Sequence, residues 1–263
     1  MTAEHPDPAA HVSLATLKLR VEPKRTRAKP IAARAREAWT AAHAEHLSVK
    51  GFAVTERVLD PKECAALVRG YGDSARFRKT VTMARHGFGQ GEYRYFAEPL
   101  PAIVQALREA WFTALVPLAN RWREQLGHSD PFPAKLDAFR RLTKAEGQAF
   151  PTPLMLKYGP GDFNCLHQDL YGDVWFPLQV IVLLSDPRSF DGGEIVLVEQ
   201  RPRAQSRPIV VPLEQGQCAI IPCHHRPKVG ARGAYRVAMR HGVSELRSGE
   251  RYTLGIIFHD ARS

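Results

Sequence analysis

Up to Phe150 the apolar positions recur every three to four residues, and beyond it they alternate, so the chain changes from a helical to a strand period part-way along. In the first part, "IAARAREAWTAAHAEHL" from Ile31 to about Leu47 is alanine-rich and helix-favouring and predicts a helical front end. "GFAVTERVL" reads as a strand, after which Asp60 caps "PKECAALVRGY" with Pro61 in its first turn. "PAIVQALREAWFTALVPLANRWREQLG" from Pro101 predicts a long helix, with Pro117 as a kink or break, Gly127 as its stop, and Trp111 and Trp122 as core residues. In the second part, "TPLMLKYG", "FPLQVIVLL", "GGEIVLVEQ", "QCAIIPC", "YRVAMRHGV" and "RYTLGIIFH" are short β-rich runs punctuated by Gly, Pro, Asp and Ser. Such strands with no helices between them predict an antiparallel sandwich or barrel. The expected fold class is α+β: a flexible basic arm over residues 1–30, a helical extension with supporting strands over 31–150, and a β-barrel core over 151–263, with one catalytic unit spanning 51–263.

Composition narrows this only slightly. With 263 residues and 44% hydrophobic content the chain can bury a sizeable core. It has no apolar run of membrane-spanning length, and "MTAEHPDPAA" lacks the order of a secretory signal, so a soluble, cytoplasmic protein without a membrane partner is expected. Cys64, Cys165, Cys218 and Cys223 are scattered, which favours reduced thiols, and "CHH" at Cys223 has no second cluster at zinc-finger spacing. The net charge of +10 divides as +4, +4 and +2 over residues 1–50, 51–150 and 151–263. A basic excess this broad suits a polyanion such as nucleic acid and equally suits ordinary solvated faces.

The chemistry concentrates where an apolar strand is entered through "HQD". Residues two apart on a strand share a face, so His167 and Asp169 can present an imidazole and a carboxylate together. Two histidines and one carboxylate form the facial set suited to non-haem iron oxygenases, and His224, His225, His241 and His259 are the candidates for the second histidine. An oxygenase using 2-oxoglutarate also needs a cation for that molecule's far carboxylate, best an arginine with its planar fork. In "RHGVSELRSGERYTL", His241 ends a strand, "RSGE" makes a turn, and Arg251 opens the next strand, which would place ligand and clamp on adjacent strands. Thr253 falls on the same face as Arg251. His224 and His225 lack such a partner, and His259 lies at the chain's end, so the expected set is His167, Asp169 and His241.

"YGPGDFNCLHQD" resembles the strand of prolyl-4-hydroxylase-type 2-oxoglutarate/iron(II) dioxygenases, with matches at Tyr158, Gly161, His167 and Asp169, and "DGGEIVL" is similar to that superfamily's Gly-Gly-Glu turn. "MARHGFGQGEYRYF", "PTPLMLKYG", "HQDLYGDVWFPLQV", "EQRPRAQSR" and "RHGVSELRSGERYTLGIIFHDA" together resemble a bacterial family of such oxygenases assigned to oxidative dealkylation of damaged nucleic acid, from about Gly51 to Ala261. The resemblance implies a double-stranded β-helix, that is a jelly roll, with iron(II) on His167, Asp169 and His241, the cosubstrate 2-oxoglutarate on Arg251 and Tyr158, and dioxygen as oxidant. Asn164 stands where many prolyl hydroxylases carry a second tyrosine. The expected reaction is dealkylation of alkylated DNA or RNA bases, with DNA repair as its role. Phosphate and base contacts are expected from Arg85, Arg94, Tyr95, Arg201, Arg203 and Arg207, with His86, Phe88, Tyr93 and Phe96 as further stacking candidates. The bland reading of Tyr93 and Tyr95 is a strand packed on the barrel, and that of the arginines is pairing with nearby carboxylates. A protein or small-molecule hydroxylase and a non-catalytic metal-binding barrel remain the alternatives.

Overall fold

The computed structural model describes residues 29–231 and 233–262. The arm expected over residues 1–30 lies outside them, apart from Lys29 and Pro30. The order is α1 (Ile31–Ala38), α2 (Ala41–Lys50), β1 (Ala53–Val54), α3 (Pro61–Arg69), β2 (Phe77–Thr82), β3 (Gly89–Gln90), β4 (Glu92–Phe96), α4 (Ala102–Gln125) and α5 (Leu136–Ala145). There follow β5 (Leu154–Tyr158), β6 (Phe163–His167), β7 (Leu178–Leu183), β8 (Phe190–Gly192), β9 (Ile195–Gln200), β10 (Arg207–Val211), β11 (Cys218–Pro222), β12 (His225–Gly230), β13 (Gly233–Val243), β14 (Leu246–Gly249) and β15 (Arg251–Ile256).

The helices start and stop for local reasons. At α3 the Asp60 carboxylate accepts from the Glu63 amide at 2.9 Å while Glu63 accepts from the Asp60 amide at 2.8 Å, a reciprocal cap with Pro61 in the first turn. The alanine-rich run forms two helices. Trp39 is extended, its ring edge-on to Trp111 at 6.3 Å, and Thr40 begins a new helix by capping with His43. α4 runs through Pro117 without a break, because Pro117 and Thr113, whose carbonyl loses its donor, both lie on the exposed face. Gly127, with φ of 83°, follows its end.

Seven strands form one antiparallel sheet in the order β1-β11-β7-β15-β5-β4-β2, and five form a second in the order β10-β9-β13-β6-β3, with β12 also paired to β13. Alternation along β7 and β15 divides their side chains between two interiors. Leu178, Val180, Val182, Leu254 and Ile256 join Val104, Leu107, Trp111 and Leu115 of α4 in the main core. The other face turns toward the second sheet: Ala219 and Ile221 of β11 pack with Leu197, Val237 and Met239 across the sandwich. Strands on this sheet are therefore apolar on both sides and read as continuous hydrophobic runs. Truncating the fully buried Trp111 to alanine would cost about 3–5 kcal/mol. Buried arginines pin the helices: Arg108 of α4 donates to the carbonyls of Ile257 and Phe258 and to Asp260 at 3.1, 2.9 and 2.6 Å. Arg226 reaches Glu199 at 2.5 Å and the carbonyls of Ser48 and Val49 at 2.6 and 3.3 Å, near the end of α2. Among the described residues no helix is long and apolar enough to cross a membrane.

Candidate active site

Strand pairing assembles the site. β13 lies antiparallel to β6 with His241 opposite His167, so two residues 74 positions apart bring their rings to a centroid distance of 4.2 Å. Asp169 sits two residues past the end of β6, not within it, and its amide donates to the Cys223 carbonyl at 3.2 Å. Its Oδ2 is 3.1 Å from His241 Nε2 and its Oδ1 is 3.6 Å from His167 Nε2. All three ligand atoms lie within 4.8 Å of one another, the spacing of a shared metal ion. His167 Nδ1 lies 2.8 Å from the Cys165 carbonyl; a carbonyl only accepts, so Nδ1 carries the proton and the Nε2 lone pair faces the site.

Two further donors hold the carboxylate, one on each oxygen. The Tyr171 hydroxyl donates to Oδ1 at 2.8 Å and the Gln179 amide to Oδ2 at 2.7 Å. Burial by itself would raise the Asp169 carboxyl, yet the facing imidazoles and the Tyr171 hydroxyl hold it well below the usual carboxylate range. It is ready as an anion. Burial, and then the neighbouring His241, push His167 below the ordinary histidine value, which favours the neutral imidazole a metal requires. Tyr171 and Gln179 were not singled out from the sequence. Their signals were present: a tyrosine two residues after the aspartate, and a lone amide inside "PLQVIVLL".

The third component approaches from the other sheet. Arg251 opens β15 opposite Tyr158 of β5, its guanidinium 5.7 Å from that ring, and both side chains are buried. Arg251 Nη1 and the Tyr158 hydroxyl have no hydrogen-bond partner among the described residues. Burial lowers the Arg251 pKa to about 10, more than the Tyr158 ring and the charge of Glu194 raise it. Gly193 of the Gly-Gly-Glu turn leaves room for it: at φ of 66°, a Cβ there would lie 2.8 Å from Arg251 Cδ. His241 and Arg251 are not on adjacent strands as expected. Between them the chain leaves one sheet through β14, which pairs with β8 and binds Asp191 through Arg247 at 2.6 and 2.7 Å, and it enters the other sheet at β15. "RSGE" is thus largely strand, and ligand and cation meet across the sandwich. The meeting place is a cavity of about 310 Å³ lined by His167, Asp169, His241, Tyr158, Arg251 and Thr253, with apolar walls that include Leu156 and Ile181.

The other candidates lie elsewhere. His224 and His225 share a hydrogen bond at 2.8 Å beneath Trp175, and buried His259 accepts from the Phe176 amide at 3.2 Å. Arg94 donates to the Tyr71 carbonyl at 2.9 Å and pairs with Glu92 at 3.0 Å. Tyr95 is buried with Val81 and Leu154, and Phe96 is in the main core. Arg201 and Arg207 face the buried Glu199 at 3.3 and 3.5 Å, while Arg203 and Arg85 are exposed. None of Arg85, Arg94, Tyr95, Arg201, Arg203 or Arg207 lines the cavity, whereas Phe88 and Tyr93 do.

Residues 91–261 match the family described as an oxygenase catalysing oxidative methylation of damaged DNA. The chain belongs to this family. Two uncharacterized proteins of Mycobacterium tuberculosis are each 48% identical to it over 198 residues, covering 73% of this chain and 85% of theirs. Among solved structures, a prolyl 4-hydroxylase of Phytophthora capsici has a TM-score of 0.52 at 15% identity over 90% of this chain and 68% of its own. A prolyl hydroxylase of Trichoplax adhaerens, in complex with a hypoxia inducible factor peptide fragment, has a TM-score of 0.51 at 13% identity over 87% of this chain and 91% of its own. The fold is the jelly-roll type of these enzymes. By that family the chain is an oxygenase. The site's residues fit iron(II) and a carboxylate-bearing cosubstrate: two imidazoles and a carboxylate suit the metal, and Arg251 and Tyr158, whose Nη1 and hydroxyl have no partner among the described residues, suit the carboxylate.

Proposed function

We propose that His167, Asp169 and His241 hold iron(II), that Arg251 with Tyr158 and Thr253 receives the far carboxylate of 2-oxoglutarate, and that the substrate is an alkylated base of DNA or RNA. The observation that carries the reading is a buried arginine with no carboxylate at ion-pair distance among the described residues, in the same cavity as the three ligand atoms. A structural metal site would need no such cation and would close its coordination with a fourth ligand.

Bound together there, iron(II) and 2-oxoglutarate would supply, with dioxygen as the oxidant, oxidation of a C–H bond to C–OH, one oxygen atom entering the substrate and the other the succinate formed as carbon dioxide leaves. The chain's own residues do the rest. Tyr171 and Gln179 fix the carboxylate so that Asp169 offers its charge in one direction. The planar fork of Arg251 orients the cosubstrate along the cavity. Leu154, Leu156, Ile181, Ile195 and Val243 line the space around it and exclude water from the reacting centre. On an N-methylated base the hydroxymethyl product loses formaldehyde. The DNA-damage family supports this substrate class.

The test is succinate formation by purified protein with iron(II), 2-oxoglutarate and ascorbate, with and without methylated single-stranded DNA, scoring formaldehyde alongside. Succinate that rises with the DNA and matches the formaldehyde is expected. Succinate indifferent to nucleic acid would overturn the substrate class and turn the search to proteins or small molecules.

A further inference from the structure

The cavity opens beside a tight turn that the mechanism above does not use. Residues Met83–His86 form a single 3-10 turn, and Phe88 follows it between Gly87 and Gly89. The turn is pinned on both sides. The Phe88 amide donates to the Met83 carbonyl at 3.1 Å, and its carbonyl accepts from the Cys165 amide of β6 at 2.8 Å. Gly89 pairs with Asn164 so closely that a Cβ would lie 2.3 Å from the Phe163 carbonyl oxygen, so only glycine lets the turn approach β6. The Phe88 side chain thereby lines the cavity while remaining 47% exposed.

Such an anchored ring leaves apolar area in water that simple folding would hide. Phe88 lies nearly parallel to His86, at 22° and a centroid distance of 5.3 Å, so one face is already backed by a flat ring. Leu166, itself 46% exposed on β6, also lines the opening, and Leu170, 41% exposed, follows Asp169. Arg85 in the same turn is exposed and has no ion pair among the described residues. A flat aromatic surface with apolar edges and a free cation beside it matches one kind of ligand, a planar π-faced ring carried on an anionic backbone.

We propose that Phe88, backed by His86, is a stacking platform that seats one unpaired nucleobase at the mouth of the cavity, with Arg85 meeting the adjoining phosphate. The inference rests on the nucleic-acid reading above and adds that the base arrives singly, from a single strand or extruded from a duplex. Phe88 contributes its π-face, which any base can use, so the platform confers affinity without sequence preference.

The test measures binding of a methylated single-stranded oligonucleotide to the iron-free full-length protein by fluorescence anisotropy across a salt series, beside the succinate assay. Phe88→Ala and Phe88→Leu are expected to weaken binding by about 5- to 100-fold with the salt slope unchanged, whereas Phe88→Tyr and Phe88→Trp stay near wild type. Arg85→Ala is expected to lower the slope by about one. Phe88→Leu binding as tightly as wild type would show that apolar area and not the ring matters, and would overturn the platform. So would Phe88→Ala binding normally while the wild type shows DNA-stimulated turnover, and that outcome leaves the substrate reading standing. A wild type that neither binds the oligonucleotide nor responds to it in the succinate assay would overturn both.

Discussion

Arg108 and Arg251 are both buried, yet their surroundings differ in kind. Arg108 has a carboxylate and two carbonyls at hydrogen-bond distance, and Arg226, equally buried, has Glu199 and the carbonyls near the end of α2. Arg108 and Arg226 each leave one guanidinium nitrogen unpartnered, whereas Arg251 has an aromatic ring beside it and, among the described residues, no side-chain hydrogen bond and no carboxylate at ion-pair distance. Asp169 is the reverse: a buried carboxylate without an arginine or lysine partner among the described residues, held by an amide and a hydroxyl with two imidazoles beside it. Removing a charge from water costs several kcal/mol unless it is paired. The first pair of arginines meets that cost with internal partners, which makes them part of the scaffold. At the site, cation and anion are kept apart, and each awaits a partner from outside. Satisfaction of buried charge therefore separates structure from function in this fold more sharply than burial does.

The largest expected effect is at the ligands. His241→Ala is expected to abolish iron-dependent turnover and manganese(II) binding measured by calorimetry, while His225→Ala retains both; the reverse pattern would move the distal ligand to His225. Next is the scaffold. Arg108→Ala should lower the unfolding free energy by about 3–5 kcal/mol in denaturant titration, because Asp260 loses its buried partner. Arg251→Ala should leave stability unchanged or raise it, and a loss as large as that of Arg108→Ala would erase the distinction drawn here. Tyr171→Phe removes one donor from Asp169 and is expected to weaken metal binding by about 10- to 100-fold; an unchanged affinity would make that contact incidental.

The smallest effect appears only in acid. Burial pushes His259 from 6.5 to about 4, so below pH 6.5 the unfolded chain binds the proton that the folded chain refuses. Its contribution is complete above pH 6.5 and is lost as pH falls toward 4, by about 2 kcal/mol at pH 5. His259→Gln should flatten that part of the stability profile, and an unaltered slope would assign it to other groups.

Much of the site was legible because its parts lie in short motifs: "HQD", the histidine of "RHGV", and the arginine and threonine that open the last strand. Local pattern also showed where the helical period gives way to strands. What it did not carry was the route between them. His241 and Arg251 are ten positions apart and read as neighbours, but the switch between sheets depends on β14 finding β8 more than fifty residues upstream, a pairing no local period encodes. In "RPRAQSR", Arg201 and Arg207 pair with Glu199, which reads as one more strand residue until alternation turns it inward beneath Arg226. Trp39 divided a helix that alanine content alone would have continued, because its ring packs on Trp111.

The most direct test is the affinity for 2-oxoglutarate of manganese(II)-loaded protein, measured by calorimetry in wild type, Arg251→Ala and Arg108→Lys. A loss of about 100-fold or more in Arg251→Ala alone is expected, since a desolvated bidentate carboxylate contact disappears. Equal affinity in wild type and Arg251→Ala would contradict the account, because the unpaired cation would then serve something other than the cosubstrate.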